Sequence, residues 1–207
     1  MWGKLWTGAL LAFALAVAPA QAQDPKEAQQ LVQQTAEKMV DRLKQDQERL
    51  KANPDLIYPL VEDIVLPHFD FVRMSQWVLG KHWRAADAAQ RERFTNEFRN
   101  LLVRTYAKAL LEYTDQTIEY LPLLAGDNAD RVVVRTQIVQ KGSAYPIPIN
   151  YNMYHRADGW KVYDISVDGV SLVSNYRTSF ASEIRIGGID DLIAKLESMN
   201  KRGAQGG

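Results

Sequence analysis

The sequence predicts an α+β domain in which several helices cover one face of a twisted, four-stranded antiparallel sheet. Two changes of pattern indicate this fold class. Apolar residues recur every three to four positions up to about residue 114, as in amphipathic helices, and then every second position, as in strands. Helical patterns return after residue 169. Helices, then consecutive strands, then helices again are typical of α+β domains.

The N-terminal residues 1–22 have the layout of a cleaved secretory signal peptide. Lys4 precedes an uncharged apolar run, and the small-residue pattern Ala20-Gln21-Ala22 follows it. The run spans about 13 residues, which is shorter than the roughly 20 that a transmembrane helix needs. We therefore expect cleavage after Ala22, export to a periplasm, a single domain over residues 23–200 and a disordered tail at residues 201–207.

Prolines delimit the first two predicted helices. Asp24 can cap a helix that begins at Pro25 and continues to about residue 52. Its apolar residues form a thin stripe, so we expect this helix to pack along one face. A second helix is expected from Pro54 to Pro67, because proline is favoured at a helix start and ends a helix when it follows one.

The next two predicted helices have glycine and carboxylate signals at their ends. A short third helix over residues 68–80 ends on Gly80, a residue type common at helix C-termini. Asp87 and Gln90 match the capping pattern of a fourth helix that continues to about Thr114. The apolar stripe of the fourth helix is wide, which indicates a helix buried on two sides.

Four strands and two helices complete the pattern. The strands are expected at residues 116–124, 130–140, 145–156 and 159–167, with short turns between them. Pro146 and Pro148 lack backbone donors at alternate positions, so this end of the third strand should lie at an edge or beside a bulge. After a turn at Asp168 and Gly169, helices are expected at residues 169–184 and 189–201. Such a sheet with helices on one face has the cone shape of NTF2-like domains, which can enclose an apolar cavity.

Motifs typical of catalytic, metal-binding and phosphate-binding sites are absent from this sequence. His68, His82 and His155 have no metal-ligand spacing, and the 207 residues include no cysteine, no glycine-rich phosphate loop and no nucleophile elbow. The formal net charge of +0 gives no electrostatic signature of nucleic-acid binding. We therefore predict no metal, no cofactor and no nucleic-acid partner.

Asp164 is the best candidate for a catalytic group. It alternates with apolar residues on the fourth strand, as a general base does in small cone-shaped isomerases. An ion pair with Arg177 is the favoured alternative for Asp164. The many apolar and aromatic residues nearby are compatible with either a filled core or a ligand pocket, and composition does not distinguish the two.

Three segments resemble the MlaC family of periplasmic phospholipid-binding proteins, also named for toluene tolerance. They are PHFDF at residues 67–71, LGKHWR at residues 79–84 and the segment 159–180, which reads GWKVYDISVDGVSLVSNYRTSF. The likeness extends from about residue 31 to residue 196. It implies a soluble, non-catalytic carrier with a phospholipid as cargo, whose acyl chains occupy an apolar cavity between sheet and helices.

The resemblance also implies a pathway and partners. Members of the family shuttle phospholipid between the outer and inner membranes in the Mla lipid-asymmetry pathway. The implied partners are an outer-membrane complex of a lipoprotein with porins and an inner-membrane ABC transporter with ring-forming lipid-binding subunits. Two other functions stay open from the residues alone: an isomerase-like enzyme with Asp164 as its base, and a periplasmic adaptor that binds proteins through an apolar patch.

Within this interpretation, apolar residues of the third and fourth helices, of the last two strands and of the segment after them are expected to contact lipid. These residues are Phe69, Phe71, Met74, Val78, Phe98, Leu102, Tyr106, Ile149, Tyr151, Met153, Tyr163, Ile165, Val170, Leu172 and Tyr176. The short helix between Pro67 and Gly80 is a candidate gate. Arg73, Lys81 and Arg177 are candidates for contacts to the head group, against the alternative that each is a solvated surface charge.

Overall fold

The computed structural model describes residues 24–112, 116–124, 130–140, 142–143 and 145–205. The expected signal peptide lies outside these ranges, as do the expected turn residues 125–128. Within the described ranges, no helix combines the length and the apolar character that crossing a membrane requires.

The described part of the chain contains seven α-helical segments and five strands. The helices are α1 (Pro25–Gln45), α2 (Gln47–Ala52), α3 (Ile57–Ile64), α4 (Phe71–Leu79), α5 (Lys81–Ala85), α6 (Ala88–Tyr106) and α7 (Leu172–Gln205). The strands are β1 (Thr117–Tyr120), β2 (Arg131–Val139), β3 (Ile147–Arg156), β4 (Gly159–Val167) and β5 (Val170–Ser171). Short 3-10 turns occupy Pro54–Leu56, Leu66–His68 and Ala107–Glu112.

The first predicted helix is two helices, separated at Asp46. The Asp46 carboxylate accepts hydrogen bonds from Arg42 at 2.9 Å and from Arg49 at 3.0 Å, so it links the end of α1 to the start of α2. Aspartate favours helix ends because its short side chain bonds groups near its own backbone. The second predicted helix is α-helical only over Ile57–Ile64, because Pro54 and Pro67 each lie in a 3-10 turn.

The capping signals of α4 and α6 are confirmed. Asp70 caps α4 through the N–H of Arg73, and Gly80 ends it with φ +55°. The capping box of α6 is complete: the Gln90 N–H donates to Asp87 at 2.8 Å, and the Asp87 N–H donates to the Gln90 side chain at 3.1 Å. α6 ends earlier than expected, at Tyr106, and a 3-10 turn continues to Glu112.

The sheet is an antiparallel meander in the order β1-β2-β3-β4-β5. The fold class is confirmed, with five strands instead of the four expected. The added strand is the two-residue β5, which folds back on β4 through Asp168 and Gly169, both at positive φ. Aspartate tolerates this conformation better than most residues do, and glycine adopts it without steric cost.

Pro148 lies at the end of β3, as its missing donor requires. The last residue pair between β3 and β4 is Ile149 with Val167, so Pro148 is bordered by β2 alone. Its carbonyl accepts the N–H of Asp168 at 2.9 Å. The bulge lies elsewhere, between Asn152 and Met153 of β3, where Tyr163 of β4 has no partner in the register.

The C-terminal helical segment is two helices joined at Gly188, which has φ 82° and ψ −179°. The separation expected at Gly187 and Gly188 is therefore present. Helical backbone continues to Gln205, whereas the sequence predicted a disordered tail from residue 201. Lys201 and Arg202 suit the last turns of a helix, because cations there complement the helix dipole.

The helices pack on one face of the sheet in three apolar clusters. One joins α4, α6 and α7 around Phe94 and Phe98, which are fully buried. A second joins α1, α3 and α6 around Ile57, and a third joins α1 to the sheet around Val134. The space bordered by these clusters is the cavity described next.

Candidate ligand-binding cavity

An apolar cavity of about 350 Å³ lies between the sheet and helices α1, α3, α4 and α6. Its wall consists of Leu31, Val32, Thr35, Ala36, Met39, Val40, Leu43, Val61, Val65, Leu66, His68, Phe69, Phe71, Met74, Leu102, Val103, Tyr106, Ala107, Leu110, Ile118, Ile138, Ile149, Tyr151, Met153, Val162, Ile165, Val167 and Leu172. Among these described residues there is no Asp, Glu, Lys or Arg. The cavity therefore suits an uncharged, hydrocarbon-like ligand.

Ten of the fifteen residues expected from the sequence lie on this wall. They are Phe69, Phe71, Met74, Leu102, Tyr106, Ile149, Tyr151, Met153, Ile165 and Leu172. They come from Phe69 and α4, from α6, and from the consecutive elements β3, β4 and the start of α7, so the fold brings together three separate parts of the chain. Their contact with lipid stays a prediction.

The other five expected residues lie away from the cavity. Val78 and Phe98 are buried in the cluster of α4, α6 and α7, and Tyr176 packs there with ring centroids 5.3 Å from Phe98. Val170 is exposed at the end of the sheet. Tyr163 is the extra residue of the bulge, and its ring contacts Trp77 at 5.2 Å between centroids.

Helix α1 also lines the cavity, which the sequence pattern did not predict. Leu31, Thr35, Met39 and Leu43 all line the cavity. Their spacing of four residues predicts an apolar stripe on one face of the helix. Such a stripe does not show whether it packs against a filled core or lines a cavity. The wall residues of β1 and β2, Ile118 and Ile138, were missed for the same reason.

His68 is the one wall residue with an imidazole, and the structure keeps it neutral. Burial and the nearby cations Lys161 and Lys38 lower the pKa of His68 below its ordinary value of 6.5. At neutral pH the described wall therefore carries no formal charge. This agrees with the apolar character of the surrounding side chains.

The start of α4 connects the cavity wall to the sheet. Phe69 and Phe71 face the cavity with their rings stacked 5.7 Å apart, and Asp70 lies between them in sequence. The Asp70 N–H donates to the carbonyl of Val162 at 2.9 Å. Its carboxylate accepts from the Tyr154 hydroxyl and, at 2.8 Å, from Arg156. This end of α4 is thus anchored to β3 and β4.

Asp164 has a structural role. Its carboxylate accepts the Ser171 hydroxyl at 2.6 Å and the N–H of Val173 at 3.1 Å, so it ties β4 to the first turn of α7. The expected ion pair with Arg177 is not formed, because the Arg177 guanidinium lies against Gly80. Asp164 does not line the cavity.

The expected head-group cations lie off the described wall. The Arg73 guanidinium carbon lies 3.8 Å from the centroid of the Tyr154 ring, in a cation–π contact. Neither Lys81 nor Arg177 belongs to the cavity wall. Among the described residues, no group of acidic residues and histidines is arranged to hold a metal ion.

A second pocket of about 320 Å³ lies between α1 and the turn that joins β3 to β4. It shares Leu31 and His68 with the apolar cavity, but it also contains Glu27, Asp158 and Lys161. Charged side chains would have to lose water to accept an apolar ligand, which is costly. The apolar cavity is therefore the better candidate for a hydrocarbon ligand.

Comparison with known families agrees with this architecture. The model of the MlaC protein family matches residues 33–198. The chain belongs to the MlaC family. The resemblance seen in the three sequence segments is confirmed, and the wall residues from Thr35 to Leu172 fall within the matched region.

Two relatives of this MlaC-family chain carry informative names. One is the intermembrane phospholipid transport system binding protein MlaC of Haemophilus influenzae, 29% identical over 170 residues that cover 81% of this chain and 79% of the relative. The other is the toluene tolerance protein ttg2D of Pseudomonas putida, 30% identical over 161 residues that cover 77% and 74% of the two chains.

A solved structure also matches the MlaC-family chain, with a TM-score of 0.78 and 32% sequence identity. It is the phospholipid-binding protein from Ralstonia solanacearum, in complex with a phospholipid. The match covers 86% of this chain and 98% of the other.

Proposed function

We propose that this protein is a periplasmic phospholipid carrier that holds the acyl chains of its cargo in the apolar cavity. The observation that carries the proposal is a cavity of about 350 Å³ whose described wall contains no charged side chain. The phospholipid bound to the Ralstonia solanacearum protein supports the choice of ligand. The ten predicted wall residues, together with the α1 stripe, are the proposed contacts to the chains.

The free energy of hydrating acyl chains explains why such a carrier needs an enclosed cavity. Two chains carry roughly 30 methylenes at about 0.8 kcal/mol each, so a phospholipid in water lies on the order of 20 kcal/mol above one in hydrocarbon. An apolar cavity offers nearly the same environment as a bilayer. Exchange between the two can thus be close to balanced, and its direction must come from differential binding to partners.

We propose that the carrier acts between the outer and inner membranes in the Mla pathway and catalyses no reaction. The name of the Haemophilus influenzae relative, which refers to intermembrane phospholipid transport, supports this role. The proposed partners are an outer-membrane lipoprotein–porin complex and an inner-membrane ABC transporter with ring-forming lipid-binding subunits. The engagement of Asp164 in capping α7 argues against its use as a general base.

The test is native mass spectrometry of the protein purified from a periplasm without detergent, followed by extraction and identification of lipid. We expect bound phospholipid. Ala36→Phe would place a ring in the cavity and should abolish most of this binding, whereas Gln33→Phe, on the exposed side of the same helix, should not. A folded protein that holds no phospholipid, and gains none from mixed detergent micelles after detergent removal, would overturn the proposal.

A further inference from the structure

The wall of the cavity continues past its end as exposed apolar side chains. Ile147 pairs with the wall residue Ile138, and Val170 pairs with the wall residue Val167. Partners in antiparallel register project to the same face of a sheet. Ile147 and Val170 therefore extend the cavity face of the sheet, yet these residues are 46% and 58% exposed.

Two further tyrosines lie near these residues, Tyr106 through its contact with Tyr176 and Tyr145 through its position in the sequence just before Ile147. Tyr106 lines the wall from α6 and is 40% exposed. Its hydroxyl lies beside that of Tyr176, one helical turn after Leu172, and burial together with this neighbour raises the pKa of Tyr176 to about 12. Tyr145, two residues before Ile147, is 82% exposed. We call Tyr106, Tyr145, Ile147 and Val170 the apolar rim.

We propose that the apolar rim docks onto the surface of a phospholipid bilayer, so that acyl chains pass between bilayer and cavity without crossing water. The inference rests on the carrier function proposed above and assigns a contact surface to it. Tyrosine suits this position because it has an apolar body and a polar tip, and such residues concentrate at membrane interfaces. Aliphatic Ile147 and Val170 suit the adjacent hydrocarbon.

The size of the rim favours a lipid surface over a second protein. Four partly exposed side chains present on the order of 400 Å² of apolar surface, which falls within the usual range of functional surface patches. A stable protein interface buries about 800 Å² on each partner, so the rim alone is too small for one. A shallow contact with lipid needs no such area, and it must be weak enough to release the carrier.

The test compares asparagine substitutions on the two faces of the sheet. The double variant Ile147→Asn with Val170→Asn removes the aliphatic part of the rim. Val133→Asn is the matched control, because Val133 is 41% exposed on a strand where its neighbours Val132 and Val134 are buried against the helices. A second double variant, Ile147→Leu with Val170→Leu, keeps the rim apolar.

Uptake of a fluorescent phosphatidylcholine is measured from vesicles of phosphatidylcholine alone, whose neutral surface removes any electrostatic attraction. Each protein is also loaded from mixed detergent micelles, which bypasses docking. We expect the asparagine double variant to take up lipid from vesicles about tenfold more slowly than wild type, because its rim loses apolar transfer into lipid. It should load normally from micelles, and the other two variants should match wild type in both assays.

Three results would overturn the docking inference. Equal uptake rates for the asparagine double variant and Val133→Asn in the vesicle assay would remove any role of the rim. Wild type loading from micelles but not from vesicles would leave the carrier function intact and assign delivery to a protein partner. A dimer in native mass spectrometry that dissociates in the double variant would assign the rim to a second copy. Wild type that loads from neither source refutes the carrier function itself.

Discussion

Replacing Asp70 with alanine should destabilise the protein more than replacing any exposed carboxylate on the same side of the sheet. The Asp70 side chain is 6% exposed and accepts three hydrogen bonds, from the N–H of Arg73, from Tyr154 and from Arg156. These bonds join the first turn of α4 to β3. Because Phe69 and Phe71 flank Asp70 and line the cavity, the same bonds position part of the cavity wall.

The expected loss for Asp70→Ala is about 3 kcal/mol of unfolding free energy. The cap on the Arg73 N–H contributes about 1 kcal/mol, as helix caps do. The bond from the part-buried Tyr154 hydroxyl to a carboxylate contributes about 2 kcal/mol, because its loss leaves the hydroxyl unsatisfied. Arg156 adds little, since its side chain is 49% exposed and water screens the ion pair. Asp70→Asn keeps the cap and should lose only about 1 kcal/mol.

Urea denaturation followed by circular dichroism measures these differences at neutral pH. Asp158→Ala is the matched control, because Asp158 pairs with the same Arg156 at 3.4 Å but is 60% exposed. Asp158→Ala should lose much less unfolding free energy than Asp70→Ala. Equal losses for the two variants, with unchanged dependence on urea concentration, would refute the assignment of this energy to the buried acceptor network.

The pH dependence of the Asp70 contribution provides an independent check. Burial opposes ionisation, but the hydrogen bonds from Tyr154, Arg73 and Arg156 outweigh it and lower the pKa of Asp70 below its ordinary value of 3.8. A carboxyl with a lowered pKa in the folded state contributes its full stability above the unfolded pKa. The stability difference between wild type and Asp70→Asn should therefore shrink as the pH falls below about 4.

Three further substitutions have expected outcomes. Gly80→Ala should lower the unfolding free energy by about 2 kcal/mol in thermal unfolding, because φ is +55° and the added Cβ would lie 3.1 Å from Arg177. The loss should exceed that of Gly169→Ala, where φ is +79° and no atom lies within 4 Å of the added Cβ. Equal losses would exclude a contribution of the Arg177 contact. Asp164→Ala should lower the unfolding free energy in urea by about 2 kcal/mol, because its carboxylate accepts hydrogen bonds from Ser171 and Val173. The amount of bound phospholipid should not change. Loss of an enzymatic activity instead would favour the general-base interpretation. Phe98→Ala should lower the unfolding free energy by about 3 to 5 kcal/mol. Ile149→Ala should lower it less, because a side chain on the cavity wall has fewer packed neighbours to lose. The reverse order would contradict the separation of core and cavity.

Local chemistry made the element ends predictable from the sequence. Asp87 and Gln90 form their capping box from residues three positions apart, so no distant contact is needed to place the start of α6. The same holds for Gly80 and for the turn at Asp168, where backbone conformation is decided within a few residues. The prolines were equally informative about helix boundaries, although they produced 3-10 turns as well as ends.

The assignment of residues to core or cavity depended on packing that the sequence does not encode locally. Phe98 and Leu102 lie on one stripe of α6, yet α7 covers the first and the second faces the cavity. Tyr163 and Ile165 were expected on the same face because they are two residues apart in a strand. Tyr163 is itself the extra residue of the bulge, so the alternation of faces is interrupted there and Tyr163 does not line the cavity.

The sequential order of the meander has a consequence for how the chain folds. Each strand pairs with the one before it, so the sheet can form through short loops, whose closure costs little entropy. Helix α1 contacts β2 and β4, and its Gln29 side chain donates to the carbonyl of Leu121 across 92 positions of sequence. Docking of α1 is therefore expected to be a late step, and the kinetics of that step would decide when a newly folded chain first has a complete cavity wall.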